Sequence, residues 1–166
     1  MKKSTRNIII ALVLFAICAL VFVNRNLNKD EVANANAKQL TVSLASGETV
    51  YDYSEESEKY VTFDTVMTRK NGDKFDKNYS GIQVKDILAD LKVELKDKDN
   101  VVFTCADNYE VKVSAADILA DGNVYLVSKE SGEENRDNGV FMLVINGDEF
   151  ATRWAKNVVK VSVVEE

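Results

Sequence analysis

The chain has 166 residues, 46% hydrophobic and 29% charged, ordinary values for a folded domain and far from the low-hydrophobicity signature of disorder. It contains no histidine, which excludes a Ser-His-Asp triad, an HExxH zinc site and a proximal-His haem, since each needs an imidazole. Residues 1–37 carry five basic and two acidic side chains, +3, so against an overall −6 the remainder carries −9; a domain of that charge repels a polyanion, and no nucleic-acid role is expected.

The first element in chain order is an apolar run of sixteen residues, Ile8 to Val23, preceded by Lys2, Lys3 and Arg6 and closed by Asn24, Arg25 and Asn26. At ~1.5 Å per residue it spans about 24 Å against a hydrocarbon core of ~30 Å, between a signal-peptide core and a transmembrane helix. The basic residues before it hold the N-terminus in the cytoplasm and send the body outside. The small-residue repeat Ala33-Asn34-Ala35-Asn36-Ala37 lies ten or more residues beyond Val23, too far for an ordinary cleavage site. The expectation is an uncleaved, single-pass anchor over residues 1–28, a polar linker over 29–38 and one extracytoplasmic domain over 39–166. Secretion after cleavage is the alternative. Cys18 sits inside the apolar run behind a bulky Ile17, unlike a lipobox, so Cys105 is the one cysteine outside. No intramolecular disulfide is available to the domain, and its stability must come from its core.

From Gln39 the chain reads as short strands separated by turn residues: Leu40 to Leu44, Thr49 to Tyr53, Tyr60 to Arg69, Val101 to Ala106, Tyr109 to Val113, Val124 to Ser128, Val140 to Ile145 and Val158 to Val164. In the last, Val159, Val161 and Val163 alternate with Lys160 and Ser162, which predicts that these three valines face inward. Phe141 to Ile145 is continuously apolar and predicts a buried central strand. Two short helices interrupt the strands. Val84, Ile87, Leu88 and Leu91 form one helical stripe. Ser114, with Asp117 three residues on, caps a second helix over Ala115 to Ala120, stopped by Gly122. The acidic stretches Ser54 to Glu58 and Lys129 to Asp137 read as solvated loops, and Asn71, Asp73 and Asp76 lack the spacing of a calcium loop, so no metal is assigned. The fold class is α+β: a strand-rich mixed sheet or compact barrel with a few short helices, behind an N-terminal membrane helix.

Three segments carry a resemblance. Tyr79-Ser80-Gly81-Ile82-Gln83-Val84-Lys85-Asp86-Ile87-Leu88 resembles the Y-x-G-[IV]-x-[VL]-x-D-[IVL]-L segment of the sulfite-oxidase-like, oxidoreductase molybdopterin-binding domain family. Val101 to Val113 is similar to its V-x-F-x-x-x-D-G-Y hairpin, with Asn108 in place of the glycine, a residue that tolerates the left-handed backbone of such a turn. Arg153 to Val163 resembles its closing R-x-[VA]-K-x-[VL] strand. The resemblance spans roughly residues 40 to 164 and implies the molybdopterin-binding fold.

In the catalytic members, the resemblance implies, molybdenum is held by a dithiolene pterin and a cysteine thiolate upstream of the Y-x-G segment, with basic and histidine residues on the pterin phosphate. Here the matching stretch, Val61 to Arg69, offers Thr65, Met67 and Thr68 but no cysteine, and neither hydroxyl nor thioether readily replaces a thiolate. The residues therefore argue against any cofactor, while the resemblance names molybdopterin as the candidate. Cofactor-contact candidates are Cys105, Asn108, Tyr109, Arg153 and Lys156. Cys105 is either a small core residue alternating with Phe103 or a relocated ligand or reactive thiol. Arg153 and Lys156, flanking Trp154, either meet an anionic ligand or form a solvated pair. The function expected is a membrane-tethered, non-catalytic binding module, its partners being the membrane and a membrane or surface protein. The alternative is a molybdopterin-dependent oxidoreductase or redox-partner component of a membrane electron-transfer system.

Overall fold

A computed structural model describes residues 38–135 and 139–165. Lys38–Glu166 forms one compact unit. The expected anchor lies outside the described residues, and among those described no helix is long and apolar enough to cross a membrane.

Among the described residues ten strands make two sheets. The first has the order β2 (Gly47–Asp52), β1 (Gln39–Leu44), β10 (Val158–Val164), β5 (Asn100–Cys105), β6 (Glu110–Ser114). The second runs β3 (Tyr60–Thr68), β4 (Lys74–Gln83), β7 (Val124–Glu130), β8 (Glu133–Glu134), with β9 (Met142–Ile145) also paired to β7. β1 lies parallel to β10, and every other pairing between strands is antiparallel. Leu40, Val42, Val101, Phe103 and Val161 from the first sheet meet Ile82, Leu126, Leu143 and Ile145 from the second in one core. This is a pair of sheets over a shared core rather than a closed barrel.

The helices α1 (Val84–Asp90) and α2 (Ala115–Leu119) fall where the sequence puts them. Ile87 and Leu88 are buried in the shared core and Leu91 packs against it. Ser114 Oγ accepts the Asp117 N–H at 3.1 Å, the expected cap. The N-terminus of α1 has no such cap, because the Gln83 Oε1 accepts the Gly122 N–H instead, at 2.7 Å.

Three expectations need correction. β4 is a ten-residue strand, not anticipated because its first residues, Lys74 to Asp76, are exposed and carry no apolar alternation. In β10 the register slips between Val158 and Lys160. That bulge turns Val158 inward and leaves Val159 47% exposed, since an extra residue reverses the alternation on one side of it; Val161 and Val163 keep the expected face. The stretch after Lys129 is not simply a loop: Lys129 and Glu130 end β7, and Glu133–Glu134 pairs with them. Nor is Glu55 a solvated side chain, because Lys38 and Lys129 close on its two oxygens at 2.6 and 2.5 Å. Burial raises the affinity of Glu55 for its proton, but the two lysines outweigh it and hold the carboxyl below its usual range.

β9 is buried on both faces, as the continuous apolar run from Phe141 to Ile145 predicts, and so is β7 from Val124 to Ser128. Leu126, Leu143 and Ile145 enter the shared core, while Tyr125, Val127, Met142 and Val144 form a second cluster with Tyr79, against which Phe63 and Trp154 pack. The free edge of β9 is closed by Ala155, which exchanges two backbone hydrogen bonds with Leu143, at 2.7 and 3.2 Å.

Candidate functional site

The end of β5, its turn into β6 and the segment leading into β10 meet at a cleft of about 530 Å³, lined by Cys105, Ala106, Asp107, Tyr109, Trp154, Ala155, Lys156 and Asn157. The turn is set locally. Asp107 Oδ1 accepts the Tyr109 N–H at 3.0 Å, and Asn108 takes φ 64, the left-handed backbone that asparagine tolerates. The Cys105 N–H donates to the Tyr109 carbonyl at 2.8 Å and the Asn108 N–H donates back to the Cys105 carbonyl at 2.9 Å. The second wall is tied to the first by the Ala106 N–H, which donates to the Asn157 carbonyl at 2.9 Å. Asn157 is itself left-handed, at φ 56. Gly139 lies against it so closely that a Cβ there would stand 2.0 Å from Asn157 Oδ1, so only glycine fits.

Cys105 forms the floor and is 3% exposed. Burial, and secondarily the nearby Asp107, pushes its thiol pKa up, which lowers its thiolate fraction and so its reactivity as a nucleophile. Tyr109 is 52% exposed at the rim. Trp154 spends its indole N–H on the Ile145 carbonyl at 2.9 Å, and its ring meets Tyr79 edge-on at 6.1 Å; it links the cleft to the second apolar cluster. Lys156 is exposed and makes no ion pair with a described residue.

Of the five residues singled out from sequence, Cys105, Tyr109 and Lys156 line the cleft. Asn108 shapes the turn but does not line it. Arg153 belongs to a separate cluster: its guanidinium is paired through two nitrogens with Asp148 and through a third with Asp117 at 3.2 Å. The Asp148 hydrogen bond, with that of Asp117 behind it, raises an already high pKa, so an anion reaching Arg153 must displace two carboxylates. The sequence pairing of Arg153 with Lys156 is thus split by Trp154, and only Lys156 is left to a ligand. Asp107 and Asn157 are lining residues the sequence reading passed over. Both stood inside motifs already recognised, Asp107 in the hairpin turn and Asn157 right after Lys156, but a turn residue's outward reach is not encoded in apolar periodicity. Among the described residues no group of three acidic or cysteine side chains could hold a metal ion.

The family model for the oxidoreductase molybdopterin binding domain matches residues 15–166. No curated protein matches the chain. Among solved structures, the sulfane dehydrogenase SoxCD from Paracoccus pantotrophus shares the fold at a TM-score of 0.62 and 16% sequence identity, over 77% of this chain. The chain corresponds to 38% of that protein's length.

Proposed function

The chain belongs to the oxidoreductase molybdopterin-binding domain family, and from that premise we propose that it is a non-catalytic member, a membrane-tethered extracytoplasmic module whose cleft beside Cys105 takes a ligand or a protein partner in place of a molybdenum centre. The observation that carries this is the placement of the thiol. β3, which corresponds to the strand that supplies the metal's thiolate in the resemblance, presents Thr65, Met67 and Thr68. Thr65 Oγ1 is hydrogen-bonded to Asn146 Oδ1, and Met67 faces Phe75 across the β3–β4 pair. The domain's single cysteine lies on the other sheet, buried, with its pKa raised by that burial.

The described residues do not fit a thiolate-held molybdenum or its anionic pterin. The metal wants a soft thiolate sulfur, and β3 offers no cysteine, while Cys105 is buried at the end of β5 in the other sheet. A pterin phosphate wants several donors, and the cleft lining offers a single ammonium, Lys156, and includes a carboxylate, Asp107. The membrane attachment and outward orientation rest on the basic residues before the Ile8 to Val23 run.

Two measurements test the reading. Purified from a host that makes the cofactor, the chain is expected to release no stoichiometric oxidised pterin on acid extraction; near one pterin per chain contradicts it. Protease shaving of intact cells is expected to remove the domain while leaving a membrane-embedded stub, whereas a soluble product beginning near Lys38 contradicts the tether.

A further inference from the structure

We propose that the open edge of β3 is an interface between two copies of this chain, which pair β3 with β3 antiparallel about a two-fold axis at Thr65 and so join their second sheets into one. The pairing depends on neither the cleft nor the tether.

β3 ends its sheet: it pairs with β4 on one side and, among the described residues, with no strand on the other. The Arg69 N–H donates to the Asp73 carbonyl at 2.8 Å. An antiparallel ladder alternates hydrogen-bonded and non-hydrogen-bonded pairs, so the residues of β3 bonded to β4 are Val61, Phe63, Thr65 and Met67. The side-chain bonds of Thr62 with Ser80, at 2.8 Å, and of Asn78 with Asp64, at 2.7 Å, fall on the other, closer pairs. Thr62, Asp64, Val66 and Thr68 therefore turn their four N–H and four C=O groups outward, and none of these groups has a hydrogen-bond partner among the described residues.

Proteins blunt such an edge with lysines, prolines or a bulge. β3 carries one charge, Asp64, in nine residues, with no proline and no break in its register, whereas the edge strands of the first sheet are shorter and β6 carries both Glu110 and Lys112. The outer half of β3 also lacks support. β4 pairs with β7 from Tyr79 onward, which leaves Thr65 to Thr68 and Lys74 to Lys77 as a two-stranded ribbon, and such a ribbon is marginal in water. A second copy of β3 completes it in one register. With Thr65 of each copy on the axis, Thr62 pairs with Thr68 and Asp64 with Val66 of the second copy, twice over, and every outward group of Thr62, Asp64, Val66 and Thr68 is satisfied. The same register sets Phe63 beside Met67 of the second copy, a favourable sulfur–aromatic pair, and threonine beside threonine at the axis. Moving the axis to Asp64 opposes two carboxylates, and moving it to Val66 carries Thr62 past the end of the partner strand. The pairing is self-complementary and closes, so both edges are consumed, whereas a strand from another protein presents a new edge of its own.

The test uses the full chain with Cys18→Ala, which leaves the buried Cys105 as its own thiol, in non-ionic detergent, its mass read by density-matched sedimentation. A dimer is expected, reduced to monomer by Val66→Pro, which removes an outward N–H and no bond to β4. Thr62→Lys combined with Thr68→Lys is the second variant, should the proline fold poorly, since it sets lysines directly opposite each other across the interface. Oxidation then reads the register: Thr65→Cys is expected to cross-link at least about fivefold more than Asp64→Cys or Val66→Cys, because those two positions face their own copies diagonally, at ~7–8 Å and beyond the reach of a disulfide. A monomeric parent chain overturns the proposal and leaves the edge to a strand of another protein. A dimer that survives both variants, or that cross-links best at position 64 or 66, overturns it as well, by placing the interface elsewhere or in another register.

Discussion

Two hairpins of similar register have opposite fates. β5–β6 buries one face completely, placing Val101 opposite Val113 and Phe103 opposite Val111 in the shared core with Cys105 beyond them, and its turn opens onto the cleft. β3–β4 is longer, with nine residue pairs in register, yet its outer half buries almost nothing. The difference teaches that backbone pairing alone is indifferent to chemistry, while the sheet behind it decides. The cysteine on β5 is desolvated, and its pKa raised, because a second sheet covers it, whereas outer β3 has no such cover.

The largest test of this contrast is a matched pair of truncations. Phe103→Ala removes a fully buried ring and is expected to cost about 3–5 kcal/mol, whereas Phe75→Ala should stay within about 1 kcal/mol, both read by chemical denaturation. A comparable loss at Phe75 would mean that the ribbon is part of the core. Next, Gly81, at the point where β4 joins the main sheet, has no room for a side chain: a Cβ would stand 2.3 Å from the Leu126 carbonyl oxygen and 2.7 Å from Val127 Cα. Gly81→Ala should therefore cost on the order of 2–4 kcal/mol, and a neutral result would show that β4 and β7 are not held that close.

Smaller effects sharpen the site. Cys105→Ser places a hydroxyl in an apolar floor and is expected to lose about 1–3 kcal/mol, a loss that a purely surface thiol would not show. Its titration gives a signed check. The unfolded thiol ionises near ~8.5 and the folded one higher, so the folded state holds the proton longer. This contribution to stability is complete below about pH 8 and is lost as pH rises past the unfolded value toward the folded one. Cys105→Ala should flatten the fall in stability between about pH 8 and 9, before the unfolded tyrosines begin to ionise near ~10 and Tyr51, raised to about 12 by burial and by Asp90, adds its own loss. Smallest are the two cations flanking Trp154: Arg153→Ala should cost about 1 kcal/mol, discounted for its partial exposure, by leaving Asp148 unpaired, and Lys156→Ala within about 0.5 kcal/mol. Equal losses would mean that both are surface residues or both paired.

How much of this was legible beforehand follows from which signals are local. Period-two and helical patterns, the Ser114 cap and the Asp107-Asn108 turn are written in neighbouring residues, and so the strands of the first sheet and both helices were readable, as was the membership of Cys105 and Tyr109 in one corner. Outer β4 was not, because a ribbon wet on both faces has no reason to alternate. The Val159 bulge was not, because nothing local distinguishes it from regular alternation. Arg153 looked like a partner for Lys156 because the two are three residues apart; that Asp148 and Asp117 reach it depends on a 3-10 turn at Ala151–Arg153 and on where α2 lies, which are tertiary facts.

Whether a β3 without a cysteine leaves the domain any metal-binding thiolate is decided by molybdenum analysis of the chain from a cofactor-competent host, beside its Cys105→Ser variant. Far less than one molybdenum per chain is expected in both, with no difference between them. Near one per chain in the parent, lost in Cys105→Ser, would contradict it and make the buried thiol the ligand.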